Sequence, residues 1–385
     1  MSVLLWASLA LIAYTYAGYP IWLWLWGKAA ARPVAKQPVT PEVVMIVVGY
    51  NEAHRIRAKI DTCLGQRYPA DRLKVVVVSD GSTDATEDIV AQHPDPRVSL
   101  VKGAGRRGKA ACLNDGVKAT QAPVIVFTDA RQRLHPDAVA LLVANFADER
   151  VGAVSGELTF ENDDGSPFAE GMGAYWLYEK FIRGQEAVSG SVVGVTGALY
   201  ALRRECFEPI PVETILDDVA IPMVAAMKGW RVVFEKGALA YDRPSTDAAQ
   251  EKVRKVRTLA GNFQLVALYG ALLSPLANPL WWRFVSHKLM RLLGPFALLV
   301  AFVANGLLAL QQDALYVGMW WFQVVGYAVT GLALCFPVLQ KTLPVKLAVT
   351  FAHLNIFVVL GLMSFLRSKQ SHLWDKSGPA SGTQP

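Results

Sequence analysis

Residues 3–26 form an apolar run of 24 residues with no charged side chain. About 20 such residues suffice for a helix to cross a bilayer. The run has no basic start and no small-residue cleavage site, so it reads as a spanning helix and not as a signal peptide. Lys28, Arg32 and Lys36 follow at once, and the bias of basic residues toward the cytosolic side predicts a cytoplasmic location for what comes next. Tyr19, Trp22, Trp24 and Trp26 suit an interfacial aromatic belt. Pro33, Pro38 and Pro41 make a stiff linker.

Apolar runs return after Gly261, at 289–310, 316–339 and 345–366, each long enough to span. The stretch 263–282 is apolar but broken by Pro275 and Pro279 and reads as interfacial. The ends of the chain thus account for a charged fraction of 18%, against about 25% in soluble proteins. Alternating sides would put His287, Lys288 and Arg291 inside, Gln311, Gln312 and Asp313 outside, and Lys341 and Lys346 inside. Arg367, Lys369 and Lys376 then fall outside, against the charge rule, so the last segment is either re-entrant or an exception. The net charge of +6 belongs mostly to residues flanking apolar segments. No element carries a basic stripe with interleaved aromatics, which excludes nucleic acid as a partner and leaves membrane lipid. The four cysteines are far apart, with no C-x-x-C pair, so neither zinc nor a disulfide framework is expected.

Between these ends the pattern changes. Runs 43–48, 73–78 and 124–127 are short, β-branched and apolar, the signature of buried parallel strands. Helical stretches are expected at 52–66 and 84–92, the second capped by Ser82 or Thr83. Strands alternating with helices imply a doubly wound, Rossmann-like α/β sheet, which binds ligands beyond the C-terminal strand ends. Those ends carry Tyr50-Asn51-Glu52, Ser79-Asp80-Gly81-Ser82-Thr83-Asp84 and Thr128-Asp129-Ala130-Arg131. Singly, each reads equally well as turn chemistry, with Asn51 a helix cap. Together they converge on one crevice, where carboxylates can grip a ribose, a base or a divalent metal.

The ordered set continues with Gly108-Lys109, Thr196-Gly197-Ala198, Asp217-Asp218 and Gly229-Trp230-Arg231. In order and spacing it resembles the family-2 glycosyltransferases of GT-A fold, among the membrane-bound relatives of cellulose, chitin and hyaluronan synthases. The resemblance covers about 43–261. It implies an enzyme that moves a sugar, with inversion, from a nucleotide diphosphate sugar (most often a UDP-sugar) to a lipid-linked or polysaccharide acceptor at the cytoplasmic membrane face. It also implies work in exopolysaccharide or envelope glycan synthesis, with polysaccharide-export proteins as partners. By position, Tyr50, Asn51, Glu52 and Asp80 would meet the nucleotide, and Lys109 the diphosphate. Asp129 matches the first Asp of the D-x-D motif and a metal ligand. Asp218, beside Asp217, matches the base that deprotonates the acceptor hydroxyl. Gly197 and Ala198 bring backbone close to the reacting sugars, and Trp176 on a helix offers a ring for stacking or for plain packing.

Two departures bear on that expectation. Arg131 stands where the second Asp of D-x-D would be. Either another carboxylate holds Mg²⁺ or Mn²⁺, or Arg131 itself offsets the diphosphate. The Q-x-x-R-W motif of processive enzymes is Arg254-Lys255-Val256-Arg257-Thr258 here. Arg257 keeps the arginine, but no Trp is left to stack on an acceptor, which counts against processive synthesis. Arg254 and Arg257 equally suit a basic face on lipid headgroups. A catalytically degenerate homologue with a scaffold role is the alternative. A nucleoside triphosphatase is excluded because Ala110 follows Gly108-Lys109 where a P-loop needs Ser or Thr. A transporter is excluded because the C-terminal runs carry few charges. The expected organisation is a spanning helix at 1–28, a linker at 29–42, the GT-A domain at 43–261, an interfacial segment at 262–288, about three spanning helices within 289–370, and a disordered tail at 371–385.

Overall fold

The computed structural model describes residues 1–161, 167–242 and 248–367; the tail expected at 371–385 lies outside them. Among the described residues, eight strands form one sheet: β1 (Val43–Gly49), β2 (Leu73–Ser79), β3 (Val98–Lys102), β4 (Val124–Asp129), β5 (Arg133–Leu134), β6 (Val151–Phe160), β7 (Tyr200–Arg203) and β8 (Arg231–Asp242). Their order is β3-β2-β1-β4-β7-β6-β8-β5. β3, β2, β1 and β4 are parallel, and β7 is antiparallel to both β4 and β6. The apolar runs are continuous because both faces of the sheet are buried. Val44, Ile46 and Val48 point to one core, with Ala110, Leu113 and Val219. Val43, Met45 and Val47 point to the other, with Ile56, Ile60 and Val139.

Two helices differ from the expected spans. The first is Ile56–Leu64 and starts late because residues 51–55 make a turn instead. Asn51 has φ of 53°, and the Glu52 carbonyl accepts from Arg55 and Ile56 N–H, both at 2.9 Å. The second is Thr86–Ala91. Its first turn is held by Asp84, whose Oδ1 accepts from Thr86 N–H at 3.0 Å. Ser82 and Thr83, the expected caps, are engaged by Asn51.

Four helices among the described residues are long and apolar enough to cross a membrane: Ser2–Ala29, Trp281–Ala309, Ala314–Cys335 and Leu343–Arg367. The last is one continuous helix, so it is not re-entrant. The boundary expected at residue 261 falls inside a helix, Ala248–Leu268, and the second span starts at Trp281, ahead of the expected 289. The segment expected to be interfacial, 262–288, is therefore shared between the end of that basic helix, a turn at Gly270–Leu273 and the start of the second span.

The helix Pro167–Ser189 joins the α/β domain to the membrane helices. Its Glu186 accepts from the Tyr19 hydroxyl of the first span at 2.6 Å and contacts His287 Nδ1 of the second at 2.8 Å. Its Glu179 pairs with Arg291 and lies 3.2 Å from His287 Nε2. Burial would raise both carboxyl pKa values, but the cations outweigh it. Arg291 leads at Glu179 and His287 at Glu186, and both are held below the usual carboxylate value. Arg283 donates to the backbone carbonyls of Glu186, Ser189 and Ser191 at 2.6–2.9 Å. The fourth span docks on the basic helix at Gly361, where an added Cβ would sit 2.8 Å from Leu259 Cβ and 3.1 Å from Ala260 N. Small residues permit such close helix approach in membranes. Gly361→Leu is expected to cost about 1–3 kcal/mol by overpacking, read as a lowered thermal midpoint in detergent with Gly361→Ala between it and wild type.

Candidate active site

The C-terminal ends of β1, β2 and β4 lie side by side, as parallel pairing of Gly49 with Ser79 and of Val48 with Asp129 requires. Asn51 braces the first two ends. Its Oδ1 accepts from Thr83 N–H at 2.8 Å, and its own N–H donates to Ser82 Oγ at 3.1 Å. Its positive φ suits asparagine better than most residues. The Arg106 guanidinium lies 4.3 Å over the Tyr50 ring. Glu52 is buried, pairs with Arg55 at 3.0 Å and donates its N–H to Thr86 Oγ1 at 2.8 Å.

Asp80 is only 1% exposed. Its Oδ1 accepts from Arg107 N–H at 2.7 Å and Gly108 N–H at 3.0 Å. The side chain expected at the nucleotide is thus engaged in holding the basic loop. Gly108 then turns the chain with φ of 92°, a conformation that costs glycine little, and the helix Lys109–Lys118 begins.

That turn delivers Lys109 to the centre of an acidic cluster. Its Nζ is 2.8 Å from Asp129 Oδ1 and 3.1 Å from Asp217 Oδ2. Burial would lower the ammonium pKa, but Asp129, Asp217 and Asp218 outweigh it and hold it above the usual lysine value. Lys109 therefore neutralises carboxylates in this structure. Burial, with Asp218 and Asp129 nearby, pushes the Asp217 carboxyl up to about 6 against the pull of Lys109. Asp218 is only half-buried, and among the described residues its carboxylate has no ion pair or side-chain hydrogen bond. Gly197 faces it closely: a Cβ there would lie 3.5 Å from both Asp218 Oδ2 and Lys109 Nζ. Arg257 on the basic helix is within electrostatic reach of Asp217, Asp129 and Asp218; burial lowers its pKa and the three carboxylates oppose that.

The structure brings Lys109, Asp129, Asp217, Asp218, Gly197 and Arg257 together. Arg131 is tied to Asp242 at 2.5 Å, and Arg254 lies in reach of Arg131 and Asp242, on the flank of the cluster. Trp176 stands apart, its ring centroid 5.8 Å from that of Phe160. Thr258, at the place of the missing Trp, donates its hydroxyl to Arg254 O at 2.9 Å. The carboxylates suit a divalent ion only in part. No three His, Cys, Asp or Glu side chains converge as a cage among the described residues, but Mg²⁺-type sites often take one or two carboxylates and complete themselves with substrate phosphates and water.

Sequence reasoning missed Lys59. It is 2% exposed, and its Nζ donates to Thr128 Oγ1 at 2.7 Å and Gln132 O at 2.9 Å. Burial lowers its pKa. Thr128 in turn donates to Ala198 O at 2.7 Å, so one ammonium ties both ends of the segment bearing Asp129 to the turn of Gly197 and Ala198. The only sequence signal was a lysine on the apolar face of a helix. Asp242, which also accepts from Gln132 Nε2 at 2.9 Å, closes the same segment from β8.

Residues 44–210 match the family described as Glycosyl transferase family 2. The α/β domain is a family-2 glycosyltransferase. Among solved structures, the mannosyltransferase PcManGT from Pyrobaculum calidifontis, in complex with GDP-Man and Mn²⁺, superposes with a TM-score of 0.72 at 25% identity, over 95% of this chain and 99% of that one. The beta-monoglucosyldiacylglycerol synthase of Synechocystis sp. is 25% identical over 71% of this chain and 58% of its own length. The succinoglycan biosynthesis protein ExoO of Rhizobium meliloti is 33% identical over 32% of this chain and 34% of its own. The poly-beta-1,6-N-acetyl-D-glucosamine synthase of Staphylococcus aureus is 22% identical over 52% and 49%. The matches span only about a third to three-fifths of these curated relatives. The family and the GT-A fold stand; the narrower kinship with cellulose, chitin and hyaluronan synthases does not follow from these relatives. With apolar helices on both sides, this family-2 transferase is an integral membrane protein with a cytoplasmic catalytic domain.

Two outcomes are expected. Lys59→Met fills the same space but leaves the buried Gln132 carbonyl without its donor, at a cost of about 1–3 kcal/mol. It should lower transfer about tenfold or more by loosening the Asp129 segment, with a lowered thermal midpoint. For Asp217, the folded value lies above the unfolded one. Ionisation therefore costs stability as pH rises from about 4 through about 6, and the cost is absent below about pH 4, where both states are protonated. Asp217→Asn should stabilise the protein at pH 7–8 by on the order of 1–3 kcal/mol and leave it unchanged near pH 4, as thermal shifts across pH will read.

Proposed function

We propose that this protein transfers a hexose from a nucleotide diphosphate sugar to a hydroxyl of a lipid-linked or polysaccharide acceptor at the cytoplasmic membrane face, with inversion, in envelope or exopolysaccharide glycan synthesis. The observation that carries the reading is the unpaired, half-open Asp218 carboxylate. It stands beside a Lys109 that is already occupied, and across from Gly197. A buried pair divides its tasks when the two environments differ. Asp217 fixes Lys109, and Asp218 is left able to take a proton.

In the reaction, the acceptor oxygen forms its bond to the anomeric carbon as its proton passes to Asp218. The bond from that carbon to the diphosphate oxygen breaks, and the nucleoside diphosphate leaves. Arg257 faces the growing negative charge as an always-charged guanidinium. Asp129, 39% exposed at its side chain, is the residue that would hold a divalent ion together with the donor's diphosphate. Such an ion supplies charge neutralisation of the leaving group. The wall of Tyr50 and Arg106 at the end of β1 offers a face for the base. Thr258 presents no aromatic platform for a growing chain, so one sugar is added per encounter.

The test is nucleotide release from UDP-, GDP- and dTDP-sugars by the full chain in nanodiscs, with and without Mn²⁺ or Mg²⁺. GDP-mannose enters the panel because a similar protein holds it. Release from one donor, lost in Asp218→Asn by about 10²-fold or more while donor affinity stays within about twofold, is the expected result. An active Asp218→Asn would overturn the base assignment. A folded protein that binds no donor would point instead to a degenerate homologue.

A further inference from the structure

A second cluster of cations lies on the membrane side of Asp218, built from the helix Pro167–Ser189 and the second span. Glu179 is already shared by Arg291 and His287, and Glu186 contacts the other ring nitrogen of His287. Hydrogen-bond donors nonetheless remain unanswered around Glu179. Arg291 Nε and Nη2 and Trp176 Nε1 are buried without an acceptor among the described residues. The Arg183 guanidinium lies 5.8 Å over the Trp176 ring. Arg183, Trp176 and Glu179 line one small cleft together with Lys180 and Glu157, which pair with each other at 2.5 Å. Neither Arg183 nor Lys288 has a carboxylate at ion-pair distance among the described residues. Lys288 is within electrostatic reach of Arg183, Glu179 and Arg291, and also of Asp218.

Buried N–H groups are nearly always answered, and each unanswered one calls for an explanation. Here the donors and surplus positive charge share one place, and a group with several anionic oxygens would satisfy them together. The depth is also informative. Lys288 is seven residues into the helix Trp281–Ala309, about 10 Å along its axis. That helix starts on the cytosolic side, so Lys288 lies near the headgroup boundary and well short of the bilayer centre. The donor side is distinct: Arg257 reaches Asp129, Asp217 and Asp218, whereas of these three Lys288 reaches Asp218.

We propose that Arg183, Lys288, Arg291 and Trp176 seat the phosphate of a membrane-lipid acceptor whose hydroxyl is thereby carried to Asp218. This rests on the acceptor-lipid reading above and narrows it from lipids in general to lipids bearing a phosphate. A neutral glycerolipid would leave the same donors unanswered.

The test is calorimetric titration of the full chain in a maltoside detergent with three probes: dioctanoyl phosphatidylglycerol, dioctanoylglycerol and inorganic phosphate. The phospholipid is expected to bind about tenfold or more tightly than either of the others. Arg183→Gln and Lys288→Gln should each weaken it by about five- to tenfold, while Arg183→Lys and Lys288→Arg keep most of the affinity. Donor affinity, measured in parallel, reports that each variant is folded. Equal binding of dioctanoylglycerol overturns the phosphate seat, equal binding of inorganic phosphate overturns its assignment to lipid, and unchanged phospholipid affinity in both Gln variants overturns the residues named. If the Gln variants fail to fold, the three-probe comparison on wild type still decides. A wild type that turns over donor yet shows no preference for the phospholipid sinks the seat alone, and one that binds no donor sinks the broader reading.

Discussion

One ammonium group holds the catalytic centre together. Three aspartates from two different elements converge at the ends of β4 and of the loop before the helix Asp217–Met227, and without a cation among them their mutual repulsion would favour protonation or splaying. Lys109 supplies that cation at 2.8 and 3.1 Å from two of them. Its own place is set by Asp80, which takes the N–H groups of Arg107 and Gly108 and so fixes where the helix starts. The chain of dependence runs from a buried carboxylate, through a turn, to a lysine, to the aspartate pair. Among the described residues the Asp218 carboxylate makes no ion pair, because its neighbour has already answered the lysine.

The same economy of charge governs the join between domain and membrane. Tyr19, Glu186, His287, Glu179 and Arg291 form a buried chain of charge-assisted contacts reaching from the first span through the helix Pro167–Ser189 to the second. A buried pair adds little net stability over apolar packing, yet removal of one partner leaves an uncompensated charge, at a cost of about 3–5 kcal/mol. Such a join specifies orientation more than it adds strength. It fixes the α/β domain against the membrane helices.

Much of this was legible before any coordinates. The runs at 43–48, 73–78 and 124–127 have no reading but buried strands, because apolar residues on both parities need cover on both faces. The ordered polar ends named the residues that gather at the centre. What the sequence could not give was which contacts those residues make among themselves. Asp80 and Lys109 were expected to face the nucleotide, and both are engaged within the protein. Arg131 was weighed as offsetting the diphosphate itself, in place of a metal, and it is paired with Asp242, over a hundred residues away in the chain and brought near by the pairing of β5 with β8. Lys59 was invisible because a lysine on a helix is ordinarily solvated; only the strap it makes under Thr128 and Gln132 explains its burial.

The amino-acid sequence by itself determined the membrane-flanked α/β architecture, the family and the identity of the acidic cluster. Hydrophobic period and length are local properties, and motif order survives without contacts. Tertiary structure alone decided that Asp217 and not Asp218 pairs with Lys109, that Lys59 anchors the Asp129 segment, and that donors around Arg291 and Trp176 stand in surplus. These depend on which charges lie within a few ångströms of one another, where electrostatic energy falls with distance and rises with burial, and neither quantity is written in the order of residues.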